Sequence, residues 1–157
     1  MASIILEGAD GTGKTTLATM LSKYYGWDIC HCTSEDPTDY DFYSQISRKQ
    51  NVIWDRHAIG ELIYPTVFNR KAKIGAEDVR LILHHAKESG AKIFVLTADI
   101  KDIEYRLNKR GNEVIEVLDK INWINDQFVF YAEQFNVPLI NTSLLNKSEM
   151  LDLITLS

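Results

Sequence analysis

The sequence predicts an α/β fold in which a five-stranded parallel sheet lies between two layers of helices. Along the 157-residue chain, short runs rich in β-branched and aromatic residues alternate with stretches of helical periodicity. The sequence has no internal repeat, low-complexity tract or linker-like stretch, so we expect a single domain over residues 1–157. Because crossovers between parallel strands are right-handed, helices are expected on both faces of the sheet.

Each strand is predicted from a short apolar run bounded by polar or turn residues. The expected strands are residues 3–7, 27–32, 51–55, 92–97 and 138–141. The spacing of apolar residues predicts helices at 14–25, 40–49, 58–68, 76–89, 100–109, 114–135 and 149–155. The longest helix has the clearest pattern, with apolar residues recurring at helical spacing from Val114 to Tyr131.

Composition and charge narrow the class of protein. A hydrophobic content of 45% and a charged content of 25% are typical of a globular domain. The formal net charge of −5 argues against a general polyanion-binding surface, and so against nucleic acid as a partner. No apolar run approaches the roughly 18 residues of a membrane-spanning helix. The first strand begins at once, so we expect no targeting segment and a cytoplasmic location.

Two cysteines, Cys30 and Cys32, lie on either side of His31 in a predicted strand. This spacing would suit redox partners or metal ligands, but alternating strand residues beside a core explain it better. We therefore expect reduced thiols, in agreement with a cytoplasmic location.

The most specific motif directly follows the first strand, where residues 8–15 read Gly-Ala-Asp-Gly-Thr-Gly-Lys-Thr, a GxxxxGKT sequence. Its glycines allow a concave loop whose amides face a phosphate. Lys14 adds a mobile positive charge for the terminal phosphates, and the hydroxyl of Thr15 suits Mg²⁺. The following helix directs its positive end at the same anion. The motif predicts a site for a nucleoside triphosphate, formed by Gly8, Asp10, Gly11, Thr12, Gly13, Lys14, Thr15 and Thr16.

A second motif ends the predicted strand 51–55, where Asp55 is followed by Arg56 and His57. In P-loop proteins, a strand beside the P-loop strand ends in an aspartate that orients the Mg²⁺ shell opposite the P-loop hydroxyl. A guanidinium at the next position would lie over the carboxyl end of the sheet and offer two parallel donors to a phosphate. The alternative is an Asp–Arg ion pair that caps a helix. The sequence therefore predicts Thr15 and Asp55 as metal ligands and Arg56 as a substrate contact.

Residues 7–16, EGADGTGKTT, together with Asp55-Arg56-His57, resemble the EGxDGxGKTT and DR[YFSH] motifs of thymidylate kinases and related nucleoside monophosphate kinases. Elsewhere the resemblance extends over most of the chain as an order of elements, and it includes short phage-borne members. It implies a P-loop NTPase fold with strand order 2-3-1-4-5, ATP as phosphoryl donor and a nucleotide as acceptor. It also implies that Asp10 holds the acceptor sugar and Arg56 the acceptor phosphate, and it makes a homodimer the family expectation.

A basic segment at about residues 106–115 is similar to the lid of these kinases, whose arginines close over the transferring phosphoryl group. Phosphoryl transfer requires charge neutralisation on oxygens, and a lid excludes water. The variable positions of the P-loop contain no arginine, so Arg106 and Arg110 are the expected catalytic pair. The alternative is that these cations only complement a helix C-terminus. The resemblance further implies that the loop 141–145 lies beside adenine.

The chain departs from the thymidylate kinase pattern after the second strand. Those enzymes usually have a Thr-Arg-Glu-Pro-like motif whose arginine binds the acceptor phosphate, whereas residues 33–37 here read Thr-Ser-Glu-Asp-Pro. Three explanations stay open. Another cation takes over (Arg48, Arg70 or His31), the acceptor has no phosphate, or Arg56 alone holds the phosphate of an unusual nucleotide.

The stretch after the second motif holds further candidate substrate contacts. On a helix over 58–68, Glu61, Tyr64 and Phe68 would lie near one face. The two rings would stack on a base while a polar group reads its edge, although core packing explains them equally well. Arg70 is the best candidate for the missing phosphate contact, with a solvated surface arginine as the alternative.

These observations predict an ATP- and Mg²⁺-dependent nucleoside monophosphate kinase in which Lys14, Asp55, Arg56, Arg106 and Arg110 carry the chemistry. An acceptor phosphate is already ionised at pH 7 and needs no general base. Two enzyme alternatives are a nucleoside kinase and a kinase acting on a modified base or nucleic acid. From other classes, a non-catalytic ATP-binding module stays open. A GTPase-like switch is disfavoured because the segments 108–111 and 146–149 begin Asn-Lys without the Asp of a guanine-reading motif.

Overall fold

The chain folds around a parallel five-stranded sheet of order β2-β3-β1-β4-β5. The computed structural model describes residues 2–111 and 115–157, and for residues 115 and 116 it describes the backbone alone. The parallel pairing of all five strands and their order confirm the predicted fold class and strand order. The strands are β1 (Ser3–Gly8), β2 (Asp28–His31), β3 (Val52–Asp55), β4 (Ala91–Thr97) and β5 (Leu139–Asn141).

Helices cover both faces of this sheet. They are α1 (Lys14–Tyr25), α2 (Tyr40–Ile46), α3 (Tyr64–Val67), α4 (Ala76–Glu88), α5 (Ile100–Arg110), α6 (Ile115–Gln134) and α7 (Lys147–Thr155). Successive residues of β1 point to opposite faces, so Ile4 and Leu6 belong to one buried cluster with α1 and α7, whereas Ile5 belongs to the other. The first residue of the predicted helix 114–135 lies outside the described residues. Among the described residues, no helix is both long and apolar enough to cross a bilayer.

The expected helix over 58–68 is wrong as one continuous element. A 3-10 helix, Ala58–Leu62, comes first, and α3 follows it as a separate turn. Pro65 explains the break, because proline has no amide to donate to the carbonyl four residues earlier. The short helical pieces nevertheless keep Glu61, Tyr64 and Phe68 along one cavity.

Close contact between strands brings the motifs to one edge of the sheet. Leu6 pairs with Asp55, and Gly8 pairs with Leu96, so the ends of β1, β3 and β4 meet directly beneath the P-loop. At Gly8, with φ 143°, an added Cβ would lie 2.5 Å from the Leu96 carbonyl oxygen. Only glycine allows β1 to turn into the loop at this distance from β4.

Candidate active site

The P-loop connects β1 to α1 and encloses the side chain of Lys14. Gly11 and Gly13 take φ values of 83° and 96°, which lie in the left-handed region that glycine occupies without strain. The Lys14 ammonium donates to the carbonyl oxygens of Gly8 at 2.6 Å and Ala9 at 3.0 Å. Burial lowers the pKa of Lys14 to about 8, while the charge of Asp10 opposes this shift. Lys14 is thus folded back on its own loop, next to the space where a phosphate would lie.

Thr15 and Asp55 lie together at the start of α1 and the end of β3. The Thr15 hydroxyl donates to Oδ2 of Asp55 at 3.1 Å, and Nδ1 of His31 lies 3.5 Å from the same oxygen. A hydroxyl beside a carboxylate suits Mg²⁺, which prefers hard oxygen ligands and keeps several waters and substrate phosphates in its shell. The described residues contain no group of three or more His, Cys, Asp or Glu side chains placed to hold a metal. The donors present therefore fit a magnesium ion shared with a nucleotide.

Arg56 is held in position by its backbone and by two side chains. Its φ is 78°, a left-handed conformation that is uncommon for a residue with a side chain. Its amide donates to the Leu6 carbonyl at 3.0 Å, and its guanidinium pairs with the carboxylate of Asp10. The guanidinium carbon also lies 5.5 Å from the centre of the Tyr64 ring, a cation–π distance. These contacts direct Arg56 along the cavity wall.

Glu7 fixes the backbone that follows Arg56, a role that the sequence did not reveal. This carboxylate is 1% exposed and accepts hydrogen bonds from the amides of His57 at 3.1 Å and Ile59 at 2.5 Å. It thereby satisfies amides at the start of the 3-10 helix, which would otherwise lack partners. Burial raises the pKa of Glu7 to about 7 against these hydrogen bonds and the charge of Lys14. The neighbouring His57 is also buried, which lowers its pKa to about 3 and keeps it neutral.

A cavity of about 510 Å³, here called the β3-side cavity, opens between the P-loop and the segment after β3. At its P-loop end lie Lys14, Thr15 and Asp55. Its wall brings together ten of the predicted site residues: Asp10, Lys14, Thr15, Asp55, Arg56, Glu61, Tyr64, Phe68, Arg70 and Arg110. The other lining residues are His31, Cys32, Thr33, Ser34, Tyr43, His57 and Gly60. The cavity therefore joins both motifs to the aromatic stretch that follows them.

The far end of the β3-side cavity combines an ion pair with two aromatic rings. The guanidinium of Arg70 donates to both carboxylate oxygens of Glu61, at 2.7 and 3.0 Å, and the Glu61 side chain is 3% exposed. The rings of Tyr64 and Phe68 are nearly parallel, with an interplanar angle of 24° and centroids 6.3 Å apart. The cavity wall therefore combines the Arg70–Glu61 ion pair with the two rings, and Arg56 lies at a cation–π distance from Tyr64.

A second cavity, here called the β5-side cavity, lies between the end of α5 and the loop that joins β5 to α7. Its volume is about 690 Å³. Arg106 crosses from α5 to the P-loop and donates to the Gly11 carbonyl at 2.9 Å and the Thr142 hydroxyl at 3.3 Å. The described lining residues are Gly13, Thr16, Arg106, Lys109, Arg110, Thr142, Leu145, Asn146, Lys147 and Met150. This cavity is rich in cations and reaches the start of α1.

Arg110, at the end of α5, lines both cavities. The helix ends there because Gly111 adopts a left-handed φ of 74° and its amide bonds to the Leu107 carbonyl. The predicted lid over 106–115 lies partly outside the described residues, since 112–114 are not described. Within the described part, Arg106 is docked on the P-loop, and Arg110 stands between the two cavities.

The structure shows where each cation proposed for the missing phosphate contact lies and what it pairs with. His31 faces Asp55, and Arg70 is paired with Glu61. Arg48 is exposed and is absent from the described lining of both cavities. Gly8, Gly11 and Thr12 shape the P-loop from beneath, and neither cavity has them in its described lining.

Several lining residues carried no recognisable signal in the sequence. Tyr43 and Cys32 resemble ordinary core residues, and both are buried. Gly60 lies inside what reads as a helix. Thr142 links the segment after β5 to the P-loop, because its hydroxyl donates to the Thr12 carbonyl at 2.7 Å. A polar residue directly after the last strand is the one sequence feature that pointed to it.

Comparison with known proteins agrees with this geometry, although no family model matches the chain. A "Probable thymidylate kinase" of Pyrococcus abyssi is 43% identical over 42 residues, a match that spans 25% of this chain and 20% of that relative. The YorR protein of Bacillus subtilis, solved in complex with phosphorylated GDP, is 28% identical over 98% of this chain and 94% of its own, with a TM-score of 0.82. Deoxyadenosine kinase from M. mycoides, solved with bound dCTP, has the same fold at 20% identity and a TM-score of 0.61, over 98% and 96% of the two chains.

The resemblance noted from the two motifs is thus confirmed by a sequence relative and by structural neighbours. The strand order, the P-loop that encloses Lys14, and the pairing of Thr15 with Asp55 are parts of one nucleotide-binding architecture. In its two motifs and in its fold, the chain is thus similar to thymidylate kinase-like P-loop kinases.

Proposed function

We propose that this protein transfers the γ-phosphoryl group of ATP to a nucleoside 5′-monophosphate, with one of its two adjoining cavities as the donor site and the other as the acceptor site. The observation that carries the proposal is the placement of Arg110, which lines both cavities, on the same side of the sheet as Lys14, Thr15 and Asp55. In this arrangement the donor lies in the β5-side cavity with its phosphates in the P-loop. The acceptor lies in the β3-side cavity.

In the proposed reaction, an oxygen of the acceptor phosphate forms a bond to the γ-phosphorus as the bond to the β–γ bridging oxygen breaks. ADP and a nucleoside diphosphate are the products. Lys14 leaves its loop carbonyls to contact the β- and γ-phosphates, and Arg110 stabilises the charge on the transferring group. Thr15 and Asp55 would hold Mg²⁺, which supplies further charge neutralisation when bound. The acceptor oxygen is already ionised at neutral pH, so these residues act by positioning and electrostatics.

In the acceptor site, Arg56 is the proposed phosphate contact because it lies beside Asp55, at the P-loop end of the cavity. Asp10, which pairs with Arg56, is then placed to accept a hydrogen bond from the acceptor sugar. The parallel rings of Tyr64 and Phe68 are proposed to stack on the base. Arg70 lies at the base end of the cavity, so it is better suited to the base than to the phosphate contact expected from the sequence.

A second candidate is a nucleoside as acceptor. Arg56 and Arg70 are each paired with a carboxylate, Asp10 and Glu61. Each pair is neutral as a whole, so the cavity attracts an acceptor phosphate less strongly than two unpaired arginines would. Related folds agree with either interpretation, since YorR was solved with phosphorylated GDP and the M. mycoides protein is a deoxyadenosine kinase. A hydroxyl acceptor would need a general base, and Asp10 is the carboxylate in the best position to serve.

An ADP-release assay with Mg-ATP distinguishes these functions. The acceptor panel contains the common nucleosides, their 5′-monophosphates in ribo and deoxy forms, 5-hydroxymethyl variants and a short DNA. Turnover confined to monophosphates is the expected result. Turnover confined to nucleosides or DNA would overturn the phosphate acceptor while leaving a kinase. ATP binding without any turnover would favour a non-catalytic ATP-binding module.

A further inference from the structure

The direction of each peptide group in the P-loop decides how well the loop binds a phosphate, because its amides form the anion site. In a trans peptide, the carbonyl and the amide that follows it point in opposite directions. A carbonyl that is held on the outside of the loop therefore directs the next amide inward. The groups that donate to these carbonyls thus contribute to the shape of the anion site.

The first carbonyls of the loop are held by groups of the motif itself. Lys14 donates to the carbonyls of Gly8 and Ala9, and the Thr12 hydroxyl donates to the Ala9 carbonyl at 2.7 Å. The proposed reaction moves Lys14 from these carbonyls to the donor phosphates. Contacts from outside the motif are therefore the ones that hold the loop both before and during donor binding.

The next two carbonyls are held by residues from distant segments. The Gly11 carbonyl accepts a hydrogen bond from Arg106 at 2.9 Å, and the Thr12 carbonyl accepts one from the Thr142 hydroxyl at 2.7 Å. The same nitrogen of Arg106 also donates to the Thr142 hydroxyl at 3.3 Å, so the two contacts are connected. The Thr12 carbonyl shares its peptide group with the amide of Gly13, a residue that lines the β5-side cavity. Arg106 and Thr142 therefore fix two successive peptide groups of the loop.

Helix α5 also packs on the P-loop independently of Arg106. A Cβ added to Gly11 would lie 3.1 Å from the Ile103 carbonyl oxygen and 3.2 Å from Cγ of Leu107. Ile103 and Leu107 are both buried. Loss of the Arg106 side chain should therefore leave α5 on the loop, together with Arg110 at the end of the helix.

We propose that Arg106 is a positioning residue of the P-loop, which together with Thr142 holds the loop carbonyls outward and directs the loop amides at the donor phosphates. The inference rests on the proposed function, which places these phosphates in the P-loop. It gives Arg106 a different role from a lid arginine that touches the transferring phosphoryl group. A positioning residue of the loop changes the affinity for any phosphate chain, whereas an arginine on the transferring group changes kcat.

The test measures binding separately from turnover. Displacement of a fluorescent ATP analogue gives Kd values of ATP, ADP and tripolyphosphate for the parent protein and for Arg106→Ala. We expect all three ligands to bind about tenfold more weakly to the variant, the loss typical of a hydrogen bond to a charged group. A loss below about threefold for any ligand would overturn the inference. A loss at least threefold larger for ATP than for ADP would place Arg106 on the γ-phosphate and would also overturn it.

Turnover supplies the second half of this test. With saturating Mg-ATP and the acceptor found in the panel, kcat of Arg106→Ala should stay within about threefold of the parent value. A larger fall would show that Arg106 acts on the transferring group, and the inference would be wrong. If no acceptor is phosphorylated by the parent protein, the proposed function fails, and the binding constants alone decide the role of Arg106.

Variants of Thr142 distinguish positioning of the loop from direct contact with the donor. Thr142→Val removes the hydroxyl and should weaken the same three ligands by similar factors, whereas Thr142→Ser retains the hydroxyl and should bind like the parent protein. Because both residues act on one loop, the double variant with Arg106→Ala should lose less than the product of the two single losses. Arg80→Ala, on α4, is the control for removal of an arginine. Unchanged binding by Thr142→Val, or losses that multiply fully, would contradict a shared role in the loop.

Discussion

The two cavities that meet at Arg110 differ in how they hold charge. In the β3-side cavity, Arg56 and Arg70 are each matched by a carboxylate, and the rings of Tyr64 and Phe68 line the same cavity. The described lining of the β5-side cavity has four cations and no carboxylate. Paired charges have fixed directions and therefore favour one orientation of a ligand, whereas exposed lysines such as Lys109 and Lys147 attract any polyphosphate.

This difference predicts that the β3-side cavity contributes mainly selectivity and the β5-side cavity mainly affinity. In the bidentate Glu61–Arg70 pair the carboxylate is buried, so a ligand that displaced Arg70 would leave that carboxylate with its desolvation cost. The exposed ammonium groups of Lys109 and Lys147 are screened by solvent and contribute attraction with little orientation. We therefore expect substitutions in the β3-side cavity to change mainly the acceptor kinetics and substitutions in the β5-side cavity to change mainly the donor kinetics. Substitutions on the two sides should separate these properties.

Lys14→Ala should have the largest effect. The ammonium of Lys14 is the P-loop charge nearest the transferring group, so its loss should lower turnover by about a thousandfold or more. Far-ultraviolet circular dichroism and Tm should show a folded protein. Lys23→Ala, an exposed position on the same helix, is the matched control. Turnover close to that of the Lys23 variant would contradict the assignment of the P-loop as the donor site.

Arg110→Ala should affect the chemical step, because this residue lines both cavities. We expect kcat to fall by about a hundredfold, with smaller changes in both KM values. The neighbouring variant Lys109→Ala, which changes a residue that lines the β5-side cavity, should alter the donor KM and leave kcat nearly constant. Steady-state kinetics with each substrate varied in turn checks both expectations. Equal effects of the two variants would remove the special role of Arg110.

Arg56→Ala should raise the acceptor KM by about 10- to 100-fold, the loss expected for hydrogen bonds to a charged group. The donor KM should change by less than about threefold, because Arg56 lies on the acceptor side of the P-loop. Arg80→Ala, on the outer surface of α4, serves as the control for removal of an arginine. Equal shifts in both KM values would contradict an acceptor role and would also weaken the contrast between the cavities.

Glu7→Gln should change the pH dependence of stability. The pKa of Glu7 is raised by burial from its ordinary 4.5 to about 7, so the folded protein binds more protons than the unfolded chain between these values. The stability contributed by this group is therefore complete below pH 4.5 and is lost as pH rises through about 7. Relative to the glutamine variant, the parent protein should lose about 2 kcal/mol of unfolding free energy between about pH 5 and pH 8. Urea unfolding at the two pH values measures this difference.

The variant and the parent share every other titratable group, so the difference between their pH profiles isolates Glu7. A constant difference in the free energy of unfolding across this range would show that Glu7 does not titrate in it. A difference that grows in the opposite direction, with the parent gaining stability as pH rises, would show that the hydrogen bonds from His57 and Ile59 outweigh burial.

Local rules made the P-loop and the sheet predictable. The octapeptide 8–15 is contiguous, so its glycine positions and Lys14 predict a phosphate-binding loop from the local sequence alone. Asp55 and Arg56 were predictable for a related reason, since the last residues of a parallel strand lie at the edge of the sheet where ligands bind. Alternating strand and helix patterns then indicated the α/β class.

Tertiary structure decided the contacts between distant segments. The Glu7 carboxylate meets amides about fifty residues away, and Arg106 reaches the carbonyl of Gly11 across 95 positions. Glu61 in the 3-10 helix pairs with Arg70 beyond α3, a contact that the predicted continuous helix over 58–68 did not reveal. Sequence patterns report the intrinsic preferences of neighbouring residues. These pairs form because packing brings distant elements together, and a buried polar group then needs its partner to offset the cost of desolvation.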